Sequence, residues 1–174
     1  DECAVHESHH GGRSLASFTR WSTPVTLPAA DTLITCPDGG VSESGIVVHV
    51  EPLDGGRAAV ILDRTAAHPV DTAWPDQPAD RGTLTVGEKT HPLVDIVTGG
   101  IHEGQLYLGA DLPVRGGTEG WIFVVAHIVD GAGIAEGDPA QIEVDALYRT
   151  DLSAGHTACH LASLALDAAL ADAW

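Results

Sequence analysis

The stretch Ala58-Ala59-Val60-Ile61-Leu62-Asp63-Arg64-Thr65-Ala66-Ala67-His68-Pro69 (AAVILDRTAAHP, 58–69) carries the first decision about the fold. Its opening half, AAVILD, is almost continuously apolar and rich in β-branched residues, which suits a strand buried on both faces. The second half turns to charge and hydroxyl and stops at a proline, as a strand end does. Such a strand needs neighbours of the same kind, and the chain supplies them. GIVVHV (45–50), PLVDIV (92–97), QLYLGA (105–110), WIFVVAHIV (121–129) and QIEVDALY (141–148) all read as strands. DGG (54–56), TGG (98–100) and RGG (115–117) are turn signals between them. In QIEVDALY, Ile142, Val144 and Ala146 alternate with Gln141, Glu143 and Asp145, the pattern of a strand with one wet face. Six such runs at intervals of roughly 10–20 residues predict a small barrel or sandwich.

Composition sets the limits. Hydrophobic residues are 44% of 174, enough for a real core, but aromatics are 5% and methionine is absent, so aliphatic side chains must fill it. A chain without methionine that begins at Asp1 is expected to be processed or cropped. Eight Lys+Arg against 25 Asp+Glu give a net charge of −17, and Lys89 is the only lysine. That surface repels nucleic acid at long range, because phosphate binding relies on basic side chains. It also fits a salt-rich setting, where excess charge is screened. Cys3, Cys36 and Cys159 are too few and too scattered for a disulfide framework. No apolar run reaches the roughly 18 residues that span a membrane, and the N-terminus lacks the build of a signal peptide, so a cytoplasmic location is expected. Residues 1–30 are polar. HESHHGG (6–12), with Cys3 nearby, reads as a solvated tail before it reads as a loose metal site.

The texture changes near Thr150. From about Ser153, a plausible N-cap, the chain is Ala/Leu-rich and free of Gly and Pro after Gly155, so it is helical by propensity. Within it, AGHTACHLASLAL (154–166) sets His156 and His160 four residues apart, hence on one face. Such a pair can offer two imidazole nitrogens to one ion. Cys159 lies about a third of a turn away and is a poor third ligand. The spacing lacks the glutamate of H-E-x-x-H, so metalloprotease chemistry is not expected. On spacing alone, a ligand pair and two structural histidines both remain open. His49, His91, His102 and His127 sit in or beside strands and are expected to be structural or exposed.

VILDRTAAHP (60–69), DQPADRGTL (76–84) and GDPAQIEVDALYRTDLSAGHTACHL (137–161) occur in an order that resembles the alanyl-tRNA synthetase editing domain and its free-standing AlaX-type relatives. That family runs L-D-x-T-x-F/H-x-P-E-G-G-G-Q-P-x-D-x-G along its barrel, then a helix opening H-T-A-x-H. The resemblance covers about residues 45–170. It implies an α+β fold: a small antiparallel β-barrel of the translation-protein type, followed by the first helix of a domain shared with threonyl- and alanyl-tRNA synthetases. The implied division is a tail over 1–30, a barrel over 31–149 and the start of the metal-binding domain over 150–174. It implies a zinc-dependent hydrolase that deacylates mischarged tRNA(Ala) bearing Ser or Gly, so that aminoacyl-tRNA is the partner. His156 and His160 match the first zinc ligand pair. Thr65 and Gln77 match barrel positions facing the aminoacyl group, where catalytic and recognition roles are implied, and His68 matches a position beside the pocket. A buried hydroxyl or amide there could discriminate a substrate hydroxyl.

Two departures stand out. VDTAWPD (70–76) replaces the family's glycine run before Gln77, so either the pocket is reshaped or an ordinary loop fills the space. The family's second ligand pair, C-x-x-x-H, does not occur after His160. The expectation is a truncated chain, metal-poor and catalytically incomplete by itself. Two rivals remain: a metal-dependent hydrolase of a small acyl ester or amide without tRNA, and a degenerate, non-catalytic binding module.

Overall fold

A computed structural model describes residues 26–70, 77–131 and 133–171. The histidine-rich segment 6–12 and all of VDTAWPD except Val70 lie outside them. The described elements are β1 (Leu33–Ile34), β2 (Ser42–Leu53), β3 (Arg57–Leu62), β4 (Arg64–Thr65), β5 (Gly82–Val86), β6 (Lys89–His102), β7 (Gln105–Leu108), β8 (Ile122–Asp130), β9 (Pro139–Val144) and α1 (Ala146–Leu170). Seven strands form one antiparallel sheet in the order β5-β9-β2-β3-β8-β6-β7. β5 also pairs with the first part of β6, from Thr83↔Pro92 to Val86↔Lys89. The rest of β6 pairs with β8 from Leu93↔Val129 to Ile101↔Ile122, so the sheet curls back through this long strand. A mostly antiparallel sheet followed by one C-terminal helix is the α+β class expected from the sequence.

The opening stretch explains the centre of the sheet. β3 lies between β2 and β8, and its residues divide between two apolar clusters. Val60 and Leu62 join Val47, Leu84, Ile96, Val125 and Ile142 on one face. Ala59 and Ile61 join Val124, Ala126 and Ile128 on the other. Burial on both faces is why AAVIL reads as unbroken apolar residues rather than as an alternation. Complete burial of Ile61 alone is worth about 2 kcal/mol.

Three local readings are corrected. TGG (98–100) is not a turn: it lies inside β6. A Cβ on Gly99 would stand 2.8 Å from Leu108 Cδ2, and one on Gly100 would stand 2.5 Å from Leu112 Cδ1 and 2.9 Å from Trp121 Cε3. These glycines make room for side chains laid across the strand. GTLTV (82–86), unassigned from the sequence, forms β5. Its Gly82 packs so closely on β9 that a Cβ would fall 2.1 Å from Glu143 O. Finally, QIEVDALY is a strand only as far as Val144. Asp145 then caps a helix, its carboxylate accepting from Leu147 N (3.1 Å) and Tyr148 N (3.0 Å). The helix therefore starts at Ala146, inside the span assigned to the barrel, and Ser153 lies within it rather than at its cap.

Candidate functional site

The LDRT segment is held from both sides. Residues 32–35 run parallel to 62–65, with Leu33 N donating to Asp63 O and Thr35 N to Thr65 O, both at 2.9 Å. Asp63 Oδ1 accepts from Ile46 N at 2.7 Å. This clamping turns the Thr65 side chain into the core, where it is fully buried. Its hydroxyl lies 2.9 Å from His127 Nε2 on β8, and it accepts from Ala67 N at 3.1 Å. His127 Nδ1 lies 2.9 Å from Val60 O. A carbonyl only accepts, so Nδ1 carries the proton and donates. Nε2 is then the acceptor, and Thr65 is the donor to it. Burial holds the imidazole neutral by lowering its pKa to about 4, against a smaller opposing effect of the Val60 carbonyl. The hydroxyl hydrogen of Thr65 is thus committed within the protein.

His68 and Gln77 flank residues 71–76 in sequence. His68 is tied to Asp80 by a reciprocal pair: His68 N donates to Asp80 Oδ2 (2.6 Å), and Asp80 N donates to His68 O (3.1 Å). Both His68 and Gln77 are half-buried. Val70 N donates to Ile96 O (3.0 Å), which lays the start of the segment against β6. A cavity of about 330 Å³ beside it is bordered by Pro69, Thr32, Thr98, Gly116, Gly117 and Phe123. It meets the LDRTAAHP stretch only at Pro69.

Asp80 also receives Arg149 from the first turns of α1. Arg149 Nε donates to Asp80 Oδ1 (3.1 Å), Nη2 donates to Asp80 Oδ2 and to Ala66 O (2.7 Å), and Nη1 donates to Gly40 O. Asp80 is buried and the Arg149 side chain is 15% exposed. Beside this pair, the Arg81 guanidinium sits 4.2 Å from the centre of the Tyr148 ring. Beyond these turns α1 stands free: none of its described residues is buried, and Leu161, Leu164 and Leu166 are exposed.

On that free portion His156 and His160 converge. Their Nε2 atoms are 2.8 Å apart and the rings meet edge to face at 4.5 Å. Two zinc-bound nitrogens at ~2.0–2.1 Å in tetrahedral geometry sit about 3.3 Å apart, so a small rotation adapts the pair to one ion. Cys159 is exposed and free. Among the described residues no group of three or more His, Cys, Asp or Glu side chains could hold a metal. The donor set fits half of a zinc site.

The other described strand histidines are built into the sheet or its rim. His49 is buried, with Nδ1 3.1 Å from Glu136 Oε1 and Nε2 3.2 Å from Glu51 Oε2. His102 stacks on Trp121 at 4.7 Å and 13°, and His91 Nδ1 lies 3.4 Å from Asp130 O. Sequence reasoning missed the partnership of His127 with Thr65 and that of Arg149 with Asp80. A lone imidazole in the apolar run WIFVVAHIV was a signal for the first. One of few basic residues, just after the strand-to-helix switch, was a signal for the second.

These features define an α+β protein whose exposed helix carries a converging histidine pair and is joined to a curled antiparallel sheet by the Asp80–Arg149 ion pair and the Arg81–Tyr148 contact. No family model matches the chain. Over 135 residues it is 34% identical to an alanine–tRNA ligase from Halorubrum lacusprofundi, an alignment that covers 78% of this chain and 12% of that protein. The chain therefore spans about an eighth of that relative, and the similarity points to a domain related to alanyl-tRNA synthetase. No helix among the described residues is long and apolar enough to cross a membrane.

Proposed function

We propose that the chain is the sheet domain and first metal-binding helix of a zinc-dependent editing hydrolase, which removes a wrongly attached Ser or Gly from tRNA(Ala). The observation that carries this reading is the convergence of His156 and His160 Nε2 on the exposed face of α1. The similarity to an alanine–tRNA ligase supports the tRNA substrate. In the reaction, water adds to the ester carbonyl and the ribose oxygen leaves with a proton, giving free amino acid and intact tRNA. Zinc, when bound, would polarise that water or the carbonyl. His156 and His160 would supply two of its ligands in their neutral form. Thr65, already donating to His127, keeps only acceptor capacity, so it would recognise a substrate through a donor such as an ammonium or hydroxyl. Reaching it requires the 66–70 segment to move aside, because Thr65 is buried. The half-buried His68 and Gln77 would line the wall that this movement opens.

The test is deacylation of Ser-tRNA(Ala) and Gly-tRNA(Ala) by the full protein that contains this chain, with zinc supplied. Turnover that disappears in His156→Ala and His160→Ala is expected. Background-level hydrolysis in the unsubstituted protein would sink the reading. A second reading, hydrolysis of a small acyl ester or amide without tRNA, is favoured by the net charge of −17, which repels a polyanion. Turnover of small aminoacyl esters with no tRNA affinity at low salt would select it. No stoichiometric zinc and no activity of either kind would leave a non-catalytic binding module.

A further inference from the structure

The third of the segments that carry the resemblance is distant in sequence from the first two, yet all three meet at one point. Ala66 and His68 belong to the first, Asp80 to the second and Arg149 to the third. Arg149 takes both carboxylate oxygens of Asp80 and the carbonyls of Ala66 and Gly40. Asp80 Oδ2 simultaneously accepts from His68 N. Asp80 is buried and Arg149 half-buried, while of the described α1 residues after Arg149 all but Leu152 and His156 are exposed. A planar guanidinium forked onto a carboxylate and two fixed carbonyls defines a direction as well as a distance. Besides this pair, the start of α1 is tied to the beginning of β5 through Arg81, whose carbonyl accepts from Asp145 N (2.8 Å) and whose guanidinium lies 4.2 Å over the Tyr148 ring, but neither contact has the fork of Arg149.

From this we infer that Arg149 and Asp80 are a positioning pair that fixes the direction of α1, and with it the His156/His160 edge, relative to the segment bearing His68 and Gln77. For activity this rests on the editing reading; for geometry it does not. If Arg149 lets go, the histidine pair, on the second and third turns beyond it, swings through several ångströms while the sheet stays folded. Cys36 stands beside the same junction: burial pushes its thiol up, and Arg149 partly offsets that rise. It therefore reports locally on the junction, while Cys159 on the exposed helix reports on direction.

The experiment is a spin-label distance measurement on the whole chain. One label sits at native Cys159 and the other at exposed position 88 through Glu88→Cys, with Cys3 and Cys36 replaced by serine. A single narrow distance distribution is expected for the otherwise native chain. Arg149→Lys keeps the charge and loses the fork, and should broaden the distribution about twofold with the sheet's circular dichroism unchanged. The double replacement Asp80→Asn/Arg149→Gln removes both charges, leaves no orphaned ion, and should broaden it as well. With Cys36 kept, Arg149→Lys, which retains the charge, should make its alkylation about tenfold faster by exposing it. An unbroadened distribution in a folded Arg149→Lys or double variant overturns the inference. Hydrogen exchange of the unsubstituted chain is the variant-free check. The amides of His68, Asp80 and Arg149 should open together, and separate opening rates would also overturn it. None of these readouts needs turnover, so the inference and the editing reading can fail separately.

Discussion

Two histidine sites in the molecule show how placement decides what an imidazole can do. His127 lies within β8, fully buried, with Nδ1 donating to Val60 O and Nε2 accepting from Thr65. Both nitrogens are used inside the protein, so its chemistry goes into stability and into fixing the rotor of Thr65. His156 and His160 lie on a helix without a buried residue, and their Nε2 atoms face each other across 2.8 Å. Little of the fold depends on them, and a shift of the shared proton from one Nε2 to its own ring's Nδ1, with a small rotation, frees both Nε2 lone pairs for an ion. The same side chain is a strut in one place and a candidate ligand in the other, and the difference lies in which partners the backbone already supplies.

The comparison breaks most visibly if the strut is removed. His127→Ala leaves a cavity and strands the Thr65 hydroxyl and Val60 carbonyl, and should cost about 3–4 kcal/mol in urea unfolding. His156→Ala and His160→Ala, each exposed or half-buried, should stay within about 0.5 kcal/mol of the native chain. Equal losses at the three positions would erase the distinction.

Acid is the next lever. Unfolded His127 takes its proton near pH 6.5, while the folded one does so only near pH 4. Between those values the unfolded state binds more protons, so stability falls as pH drops through the window and is fully present above it. The contribution at stake is at most about 3 kcal/mol, and the slope from pH 6.5 to 4 should flatten in His127→Gln. A parallel slope in the variant would mean that carboxylates alone set the acid response.

Thr65→Val sharpens the comparison from the other partner. It removes the donor to His127 Nε2 and the acceptor for Ala67 N, and should cost about 1–2 kcal/mol by thermal denaturation, with Thr65→Ser recovering most of it. An unchanged melting temperature would deny that the hydroxyl is engaged. The smallest effect comes from salt. With a net charge of −17, raising the salt from 0.1 to 1 M should stabilise the chain by about 1 kcal/mol, through shortening of the screening length from ~10 to ~3 Å. A loss of stability over that range would point to attractive rather than repulsive net electrostatics.

Five of the six expected strands were legible as apolar runs because burial on one or both faces leaves a pattern in composition. The sixth, QIEVDALY, was half right, since a strand and a helix start share it and Asp145 marks the switch only through its cap geometry. β5 was missed because GTLTV is short and carries two threonines, and because Gly82 is there for close contact with β9 rather than for a turn. The TGG of β6 misled for the same reason: an embedded glycine and a turn glycine look alike until the side chains packed over them are known. The histidine pair was readable because i and i+4 always share a helix face. The partners of Thr65 and Asp80 were not, because His127 and Arg149 lie 62 and 69 residues further along and only the curled sheet brings them close.

The central claim, that the exposed pair is open to a metal while the buried imidazole is closed to one, is tested most directly by zinc titration of the chain followed through its histidine ring NMR signals. The account predicts that the His156 and His160 signals shift together at one zinc concentration, that His127 does not move, and that His156→Ala/His160→Ala abolishes only that transition. If His156 and His160 stay put while the remaining histidines titrate with zinc, the account is contradicted.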